Sequence, residues 1–281
     1  MKKVSQTQEG FFKAKDQTEL FYYSLRAKEP KGTLVVVHGL DEHSGRYRHF
    51  AEYLTGQGWQ IYLYDQRGHG RSKGLRGYAE GMQQLAEDLH VFVEWVKKQE
   101  KTDKVFVLGH SFGGQVTINY LADYAPELRG AVLSAPNVQL ALPVSPLKKS
   151  VGRFLSNFLP TLRIANDVKP EYVSRDPEVV RDYCNDPFLQ QKISLRLGAA
   201  ILDNLDEIID LATKIKLPCL VLHGSEDKIT AKEGSETFFK KLSSKDKKLK
   251  IYSKFYHEIL NEPEKLEVYQ DICHWLQERL S

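Results

Sequence analysis

Short apolar runs recur along the chain at 34–37, 61–64, 105–108, 131–134, 219–222 and 249–252. Most are continuous rather than alternating, the pattern of strands covered on both faces. Between them lie amphipathic patterns. Tyr47, Phe50, Ala51 and Leu54 fall at i, i+3, i+4 and i+7, and Leu85, Leu89, Phe92 and Val96 repeat that spacing. A last helix is expected over 264–280, burying Leu266, Tyr269, Ile272, Cys273 and Leu276. Strands alternating with helices predict an α/β fold, a mostly parallel sheet with helices on both faces. Residues 11–25, with two apolar runs around Lys15-Asp16-Gln17-Thr18, predict an antiparallel hairpin at the sheet edge.

One interval breaks this rhythm. No core strand is evident over 136–217, a stretch too long for a plain loop. The expected organisation is a core of residues 1–135 and 218–281 with a helical cap inserted at 136–217. Entry after one strand and exit before the next would set that cap over the carboxyl end of the sheet, where open α/β sheets bind ligands.

The chemistry centres on Gly109-His110-Ser111-Phe112-Gly113-Gly114, between the run at 105–108 and a helical stretch at 114–124. G-x-S-x-G between a strand and a helix holds a serine in a strained turn, its hydroxyl raised above the sheet and helix N–H groups beside it. A serine alcohol needs a base, and the expected chain order is serine, acid, histidine. After the run at 219–222 stands Asp227, with Glu226 as an open alternative. After the run at 249–252 stands His257. Of nine histidines, His38, His43, His49, His69, His110 and His223 precede the acid, while His90 and His274 fall on helices. Leu40 and Phe112 are the expected oxyanion N–H donors, Leu40 lying in the loop after the first parallel strand. His38 is read as a brace for that loop.

His38-Gly39-Leu40-Asp41-Glu42-His43-Ser44-Gly45-Arg46-Tyr47, Asp65-Gln66-Arg67-Gly68-His69-Gly70-Arg71-Ser72 and the serine turn together resemble the monoacylglycerol lipases. These are α/β-hydrolases grouped with enzymes called lysophospholipases. The resemblance runs from about residue 10 to the end. It implies hydrolysis of single-chain acyl esters by a Ser111–Asp227–His257 triad, with no cofactor and no metal. It also implies that Arg46, His110 and Tyr183 contact the glycerol end. Tyr183-Cys184-Asn185-Asp186-Pro187 resembles the family's Tyr-x-x-Asp-Pro stretch. Val179 departs from the acidic residue some members carry there, and Leu40 from a common alanine. Lysophospholipase or broader carboxylesterase specificity stands as the alternative.

Composition narrows the rest. A formal charge of +3 on 281 residues gives no case for nucleic acid, and the lysines at 240, 241, 245, 247, 248 and 250 read as a solvated surface. Three cysteines make no disulfide framework, the basic start at Met1 has no signal-peptide apolar run, and no stretch reads as a membrane span. A cytoplasmic protein is therefore expected. Val151, Phe154, Leu155, Phe158 and Leu159 form an apolar stripe bordered by Lys148, Lys149 and Arg153. That helix is expected to lie peripherally on an anionic bilayer, to pack inward as a tunnel wall, or to do both. Gly68-His69-Gly70-Arg71-Ser72-Lys73-Gly74 approximates a dinucleotide-binding turn, with the spacing off by one. A non-catalytic binding protein on a hydrolase scaffold is the remaining reading. The oligomeric state is not legible.

Overall fold

The computed structural model describes residues 5–125, 127–166 and 168–280; the basic start at Met1–Val4 lies outside them. The strands are β1 (Ser5–Lys13), β2 (Glu19–Arg26), β3 (Gly32–Val37), β4 (Trp59–Tyr64), β5 (Val105–His110), β6 (Gly130–Ser134), β7 (Arg163–Ala165), β8 (Lys192–Ser194), β9 (Cys219–Gly224) and β10 (Lys247–Tyr252). The α-helices are α1 (Arg48–Gly56), α2 (Met82–Glu100), α3 (Phe112–Tyr124), α4 (Pro146–Phe158), α5 (Pro177–Asn185), α6 (Leu195–Asn204), α7 (Ile208–Leu211), α8 (Lys232–Lys241) and α9 (Lys265–Gln277).

Eight strands form one sheet in the order β1-β2-β4-β3-β5-β6-β9-β10. The six from β4 to β10 run parallel, and the β1–β2 hairpin adds to β4 antiparallel, as the sequence predicts. Alternation along β3 divides the core. Val35 and Val37 join one apolar cluster with α2, α3 and α8, whereas Leu34 and Val36 join the other with α1 and α9. Leu266 departs from expectation: it is 56% exposed in the first turn of α9, while Tyr269, Ile272, Cys273 and Leu276 are buried.

Between β6 and β9 the chain builds α4, α5, α6, α7 and a two-stranded antiparallel β7–β8 ribbon outside the main sheet. Ser145 caps α4 by accepting the Lys148 N–H, and Pro146 fits the first helical position. This segment touches the loops at the carboxyl end of the sheet. The Gln190 N–H donates to the Asp41 carbonyl at 2.8 Å, and the Glu258 N–H to the Val173 carbonyl at 2.7 Å.

The glycine-rich stretch after β4 is a brace rather than a nucleotide turn. Positive φ at Gly68, Gly70 and Gly74 winds it into a loop, and no helix starts between the end of β4 at Tyr64 and Met82. Asp65 accepts the Ser44 N–H at 2.8 Å and the Arg71 N–H at 2.7 Å, tying this loop to the one after β3. The lysine-rich region is partly engaged: Lys241 pairs with Asp210, Lys250 with Glu267 and Asp271, and Lys247 donates to the Phe239 and Leu242 carbonyls. Among the described residues, no helix is long and apolar enough to cross a membrane, and Cys184, Cys219 and Cys273 are free thiols.

Candidate active site

The bend between β5 and α3 is built around Ser111, whose φ of 53° is a left-handed conformation that L side chains rarely adopt. Two glycines permit it. A Cβ at Gly109 would strike the Gly113 carbonyl oxygen and the Thr117 hydroxyl, and one at Gly113 would strike the Val37 and His38 carbonyls. The hydroxyl emerges toward the loops after β9 and β10.

There Ser111 Oγ lies 2.8 Å from His257 Nε2, and His257 Nδ1 lies 2.7 Å from Asp227 Oδ2. With Nδ1–H given to the carboxylate, Nε2 keeps its lone pair facing the hydroxyl. Asp227 is fixed in turn. Its Oδ1 accepts the Ile229 and Thr230 N–H groups, and its Oδ2 accepts the Thr230 hydroxyl at 2.9 Å. His223 Nε2 stands 3.1 Å from the same oxygen. Burial pushes the Asp227 carboxyl up, but His257 and His223 outweigh burial and hold it well below the usual carboxylate range. Burial pulls His257 down, yet Asp227 overcomes this and raises the imidazole above its ordinary value. Glu226, the open alternative, is exposed, with its N–H donating to the Phe255 carbonyl.

The loop after β3 passes close to the serine: a Cβ on Gly39 would come within 3.3 Å of Ser111 Cβ. His38 braces it, with Nδ1 2.7 Å from the Gly39 carbonyl and Nε2 accepting the Gln66 N–H at 2.9 Å. Among the turn and loop hydrogen bonds of the described residues, neither the Leu40 nor the Phe112 N–H is spent on a protein acceptor.

On the opposite flank of His257 lies a charged cluster. Arg46 Nη2 donates to both Glu258 oxygens at 2.8 and 2.6 Å, and its Nε donates to Glu42 Oε2 at 3.1 Å. The Tyr183 ring covers the guanidinium, 4.9 Å from centroid to carbon. His110 is buried, its ring 4.9 Å from that of His257. Burial, reinforced by His257, holds His110 well below the ordinary imidazole value, so it stays neutral. Ser111, His257 and Asp227 thus come into contact, Arg46, His110 and Tyr183 gather beside them, and Phe154, Leu155 and Phe158 lie apart on α4. Sequence reasoning missed Thr230, Glu42 and Glu258. Thr230 had a local signal, lying three residues after an aspartate in a turn. Glu42 had one too, standing four residues before Arg46, whereas Glu258 had none, because its arginine partner is remote in sequence.

No cluster of His, Cys, Asp or Glu among the described residues has the makings of a metal site.

Residues 28–264 match the family model described as serine aminopeptidase, S33. A monoacylglycerol lipase of Mycolicibacterium smegmatis is 35% identical over 90% of this chain and 90% of its own. An uncharacterised abhydrolase-domain protein of Dictyostelium discoideum is 36% identical over 92% of this chain, which spans only 28% of that relative. The crystal structure of a Paleococcus ferrophilus monoacylglycerol lipase superposes with a TM-score of 0.86 at 33% identity, covering 93% of this chain and 99% of its own.

Proposed function

Because this chain belongs to the serine aminopeptidase S33 family of α/β-hydrolases, we propose that it is a serine hydrolase cleaving carboxylic esters of monoacyl lipids, monoacylglycerol foremost, to a fatty acid and an alcohol. The reading rests on the 2.8 Å contact between Ser111 Oγ and His257 Nε2, backed by a buried Asp227.

The mechanism has two halves. Ser111 Oγ attacks the ester carbonyl while His257 Nε2 takes its proton. The oxyanion of the tetrahedral intermediate is held by the Leu40 and Phe112 N–H groups. His257 then protonates the departing alkoxide, leaving an acyl-enzyme. Water enters, gives a proton to His257 and releases the acid by the reverse sequence. Asp227 stays ionised throughout and stabilises the imidazolium.

The head-group side favours a neutral alcohol. Arg46 is the guanidinium proposed for the head-group side, and two carboxylates already engage it. A phosphodiester would meet that pair of carboxylates rather than a free cation, which favours glycerol over a lysophospholipid head. His110 and Tyr183 are the proposed contacts on this side.

Residues 136–217 are read as a cap over the site, and its tip as the membrane-facing element. On α4, Phe154 is 63% and Phe158 69% exposed, their rings 5.0 Å apart. Leu155 is half-buried and turns inward. The basic border expected of this helix is compensated: Lys149 pairs with Asp206 and Arg153 with Asp203. Apolar insertion, rather than attraction to anionic lipid, is therefore the proposed mode.

A hydrolysis panel of 1-monooleoylglycerol, lysophosphatidylcholine and p-nitrophenyl esters of graded length tests this reading. The expected order puts monooleoylglycerol first, and Ser111→Ala abolishes turnover and fluorophosphonate labelling with the fold retained. No labelling of the wild type at Ser111 would overturn it.

A further inference from the structure

The resemblance to the lipases casts Arg46 as a head-group contact, but its hydrogen bonds point elsewhere. The guanidinium bridges two carboxylates on different loops, and one of them grips the backbone beside the proposed oxyanion donor. Glu42 Oε1 accepts the Gly39 N–H at 2.5 Å and the Tyr47 hydroxyl at 2.6 Å. Its Oε2 accepts Arg46 Nε at 3.1 Å. Arg46 in turn clamps both oxygens of Glu258, the residue after His257, and the Asn261 amide donates to Glu258 Oε2 at 2.8 Å. Glu42, Arg46 and Glu258 are all nearly sealed from water.

The Gly39 N–H belongs to the His38–Gly39 peptide, which Glu42 holds on one side and the Gln66 amide, donating to the His38 carbonyl at 2.7 Å, on the other; the following Gly39–Leu40 peptide is held at its carbonyl by His38 Nδ1 at 2.7 Å. Gly39 has no side chain, and a Cβ there would collide with Glu42 Oε1 itself. The next residue, Asp41, takes a positive φ of 63°. Glu42 therefore acts on the Leu40 N–H through Gly39: anchoring the Gly39 N–H fixes the direction in which this freely rotating residue sends the next peptide, and a preorganised donor works only when its dipole is already aimed at the developing charge.

We propose that Glu42 is a positioning residue that sets the oxyanion loop over Ser111, and that Arg46 couples this loop to the base loop through Glu258. This rests on the serine-hydrolase reading above. The competing role is a purely structural one, in which Glu42 merely neutralises a buried guanidinium.

The two roles separate on tetrahedral binding. A long-chain trifluoromethyl ketone receives Ser111 Oγ at its carbonyl carbon, the serine proton passing to His257, and the resulting oxyanion occupies the donor site. The corresponding methyl ketone stays trigonal and does not load that site. Wild type, Glu42→Gln and Glu42→Ala would be compared with 1-monooleoylglycerol for kcat and KM, with both ketones for Ki, and by thermal melt. Gln retains a carbonyl acceptor for the Gly39 N–H at unchanged size, so it folds even where Ala does not.

Positioning predicts that Glu42→Ala loses about 10²-fold in kcat, on the scale of one lost oxyanion donor. KM stays within about twofold, and the trifluoromethyl ketone loses affinity in parallel with kcat while the methyl ketone does not. Glu42→Gln, whose neutral amide oxygen is the weaker acceptor, recovers only part of the loss and keeps a measurable deficit in kcat and in trifluoromethyl ketone affinity. Where Glu42→Ala fails to fold, Glu42→Gln carries the test: selective weakening of the trifluoromethyl ketone supports the proposal, and wild-type kcat with unchanged Ki for both ketones overturns it. A lowered melting temperature with wild-type kcat and Ki in the folded protein, or a rise in KM alone, would also overturn it. Wild-type turnover and Ser111 labelling are read in the same series, so a failure of the enzymatic reading appears as an inert wild type.

Discussion

Asp227 Oδ2 lies 2.7 Å from His257 Nδ1, and the carboxylate side chain is wholly shielded from water. That placement makes the acid an orienter of the imidazole as well as a charge beside it. Asp227→Asn keeps the size but presents an amide to Nδ1, favouring the tautomer whose Nε2 carries a proton and cannot accept one from Ser111. A fall of about 10³–10⁴ in kcat is expected with little change in melting temperature. Glu226→Gln, on an exposed side chain, is expected to stay within about twofold of wild type. A larger loss for Glu226→Gln than for Asp227→Asn would reassign the acid.

The same pair sets the pH dependence. His257 must be neutral to accept the serine proton, and Asp227 raises its affinity for protons above the ordinary imidazole value. Activity is then lost as pH falls through that raised value, so the acid limb of kcat/KM lies above about 6.5. Asp227, Thr230, Ser111 and His110 contact the ring, and the Glu258 and Glu42 carboxylates add to its attraction for a proton. A limb centred near pH 5 would contradict this electrostatic picture.

Much of this arrangement was legible because it is local. Apolar runs of four residues locate each parallel strand, and the serine, acid and histidine stand within five residues after three of them. Legibility fails where the outcome depends on what covers a face. The spacing that marks Leu266 for burial is the same as for Tyr269, but Leu266 sits in the first turn, where the core does not reach. The stripe on α4 has a clear period, yet a period shows that an apolar face exists and not which surface meets it. Likewise, Asp203 at the end of α6 and Asp206 in the turn after it, the partners of Arg153 and Lys149, could not be paired from sequence.

Glycine substitutions separate the serine bend from the cap. Gly113→Ala drives a methyl into the Val37 and His38 carbonyls, backbone atoms that cannot turn aside, and a loss of more than about 4 kcal/mol or failure to fold is expected. Gly152, inside α4, has nothing within 4 Å of an added Cβ. Gly152→Ala is expected to stabilise by about 0.5–1 kcal/mol through helix propensity. Equal effects at the two sites in urea melts would contradict the packing of the bend.

Asp41 gives a stability prediction whose sign depends on pH. It is buried, its Oδ2 accepts from Asn166, and its Oδ1 has no hydrogen-bond partner among the described residues. Burial raises its carboxyl to about 7, against an ordinary value near 4 in the unfolded chain. Between those values the folded state holds the proton that the unfolded state has lost, so stability falls as pH rises from about 4 to about 7 and levels off above. Asp41→Asn removes this cost and tolerates the positive φ. The variant is expected to gain on wild type across that window by on the order of 2–4 kcal/mol, with a constant difference above pH 7. A difference independent of pH would show that Asp41 is ionised throughout.

The exposed face of α4 supplies a test of the proposed membrane contact that separates apolar insertion from electrostatic attraction. Phe154 and Phe158 present two adjacent exposed rings, and full burial of such a side chain is worth about 1.5–3 kcal/mol. Phe158→Asp removes one of them and adds a charge that must be dehydrated to enter lipid. Co-sedimentation with phosphatidylcholine vesicles is expected to fall at least tenfold in this variant, while turnover of soluble p-nitrophenyl butyrate is unchanged. Because Lys149 and Arg153 are paired with aspartates, wild-type binding to these neutral vesicles is expected to change little between 50 and 500 mM salt, on the order of twofold. Vesicle binding that needs anionic lipid and collapses with salt would place the contact on the basic side chains, and unaltered binding by Phe158→Asp would remove α4 from the membrane surface.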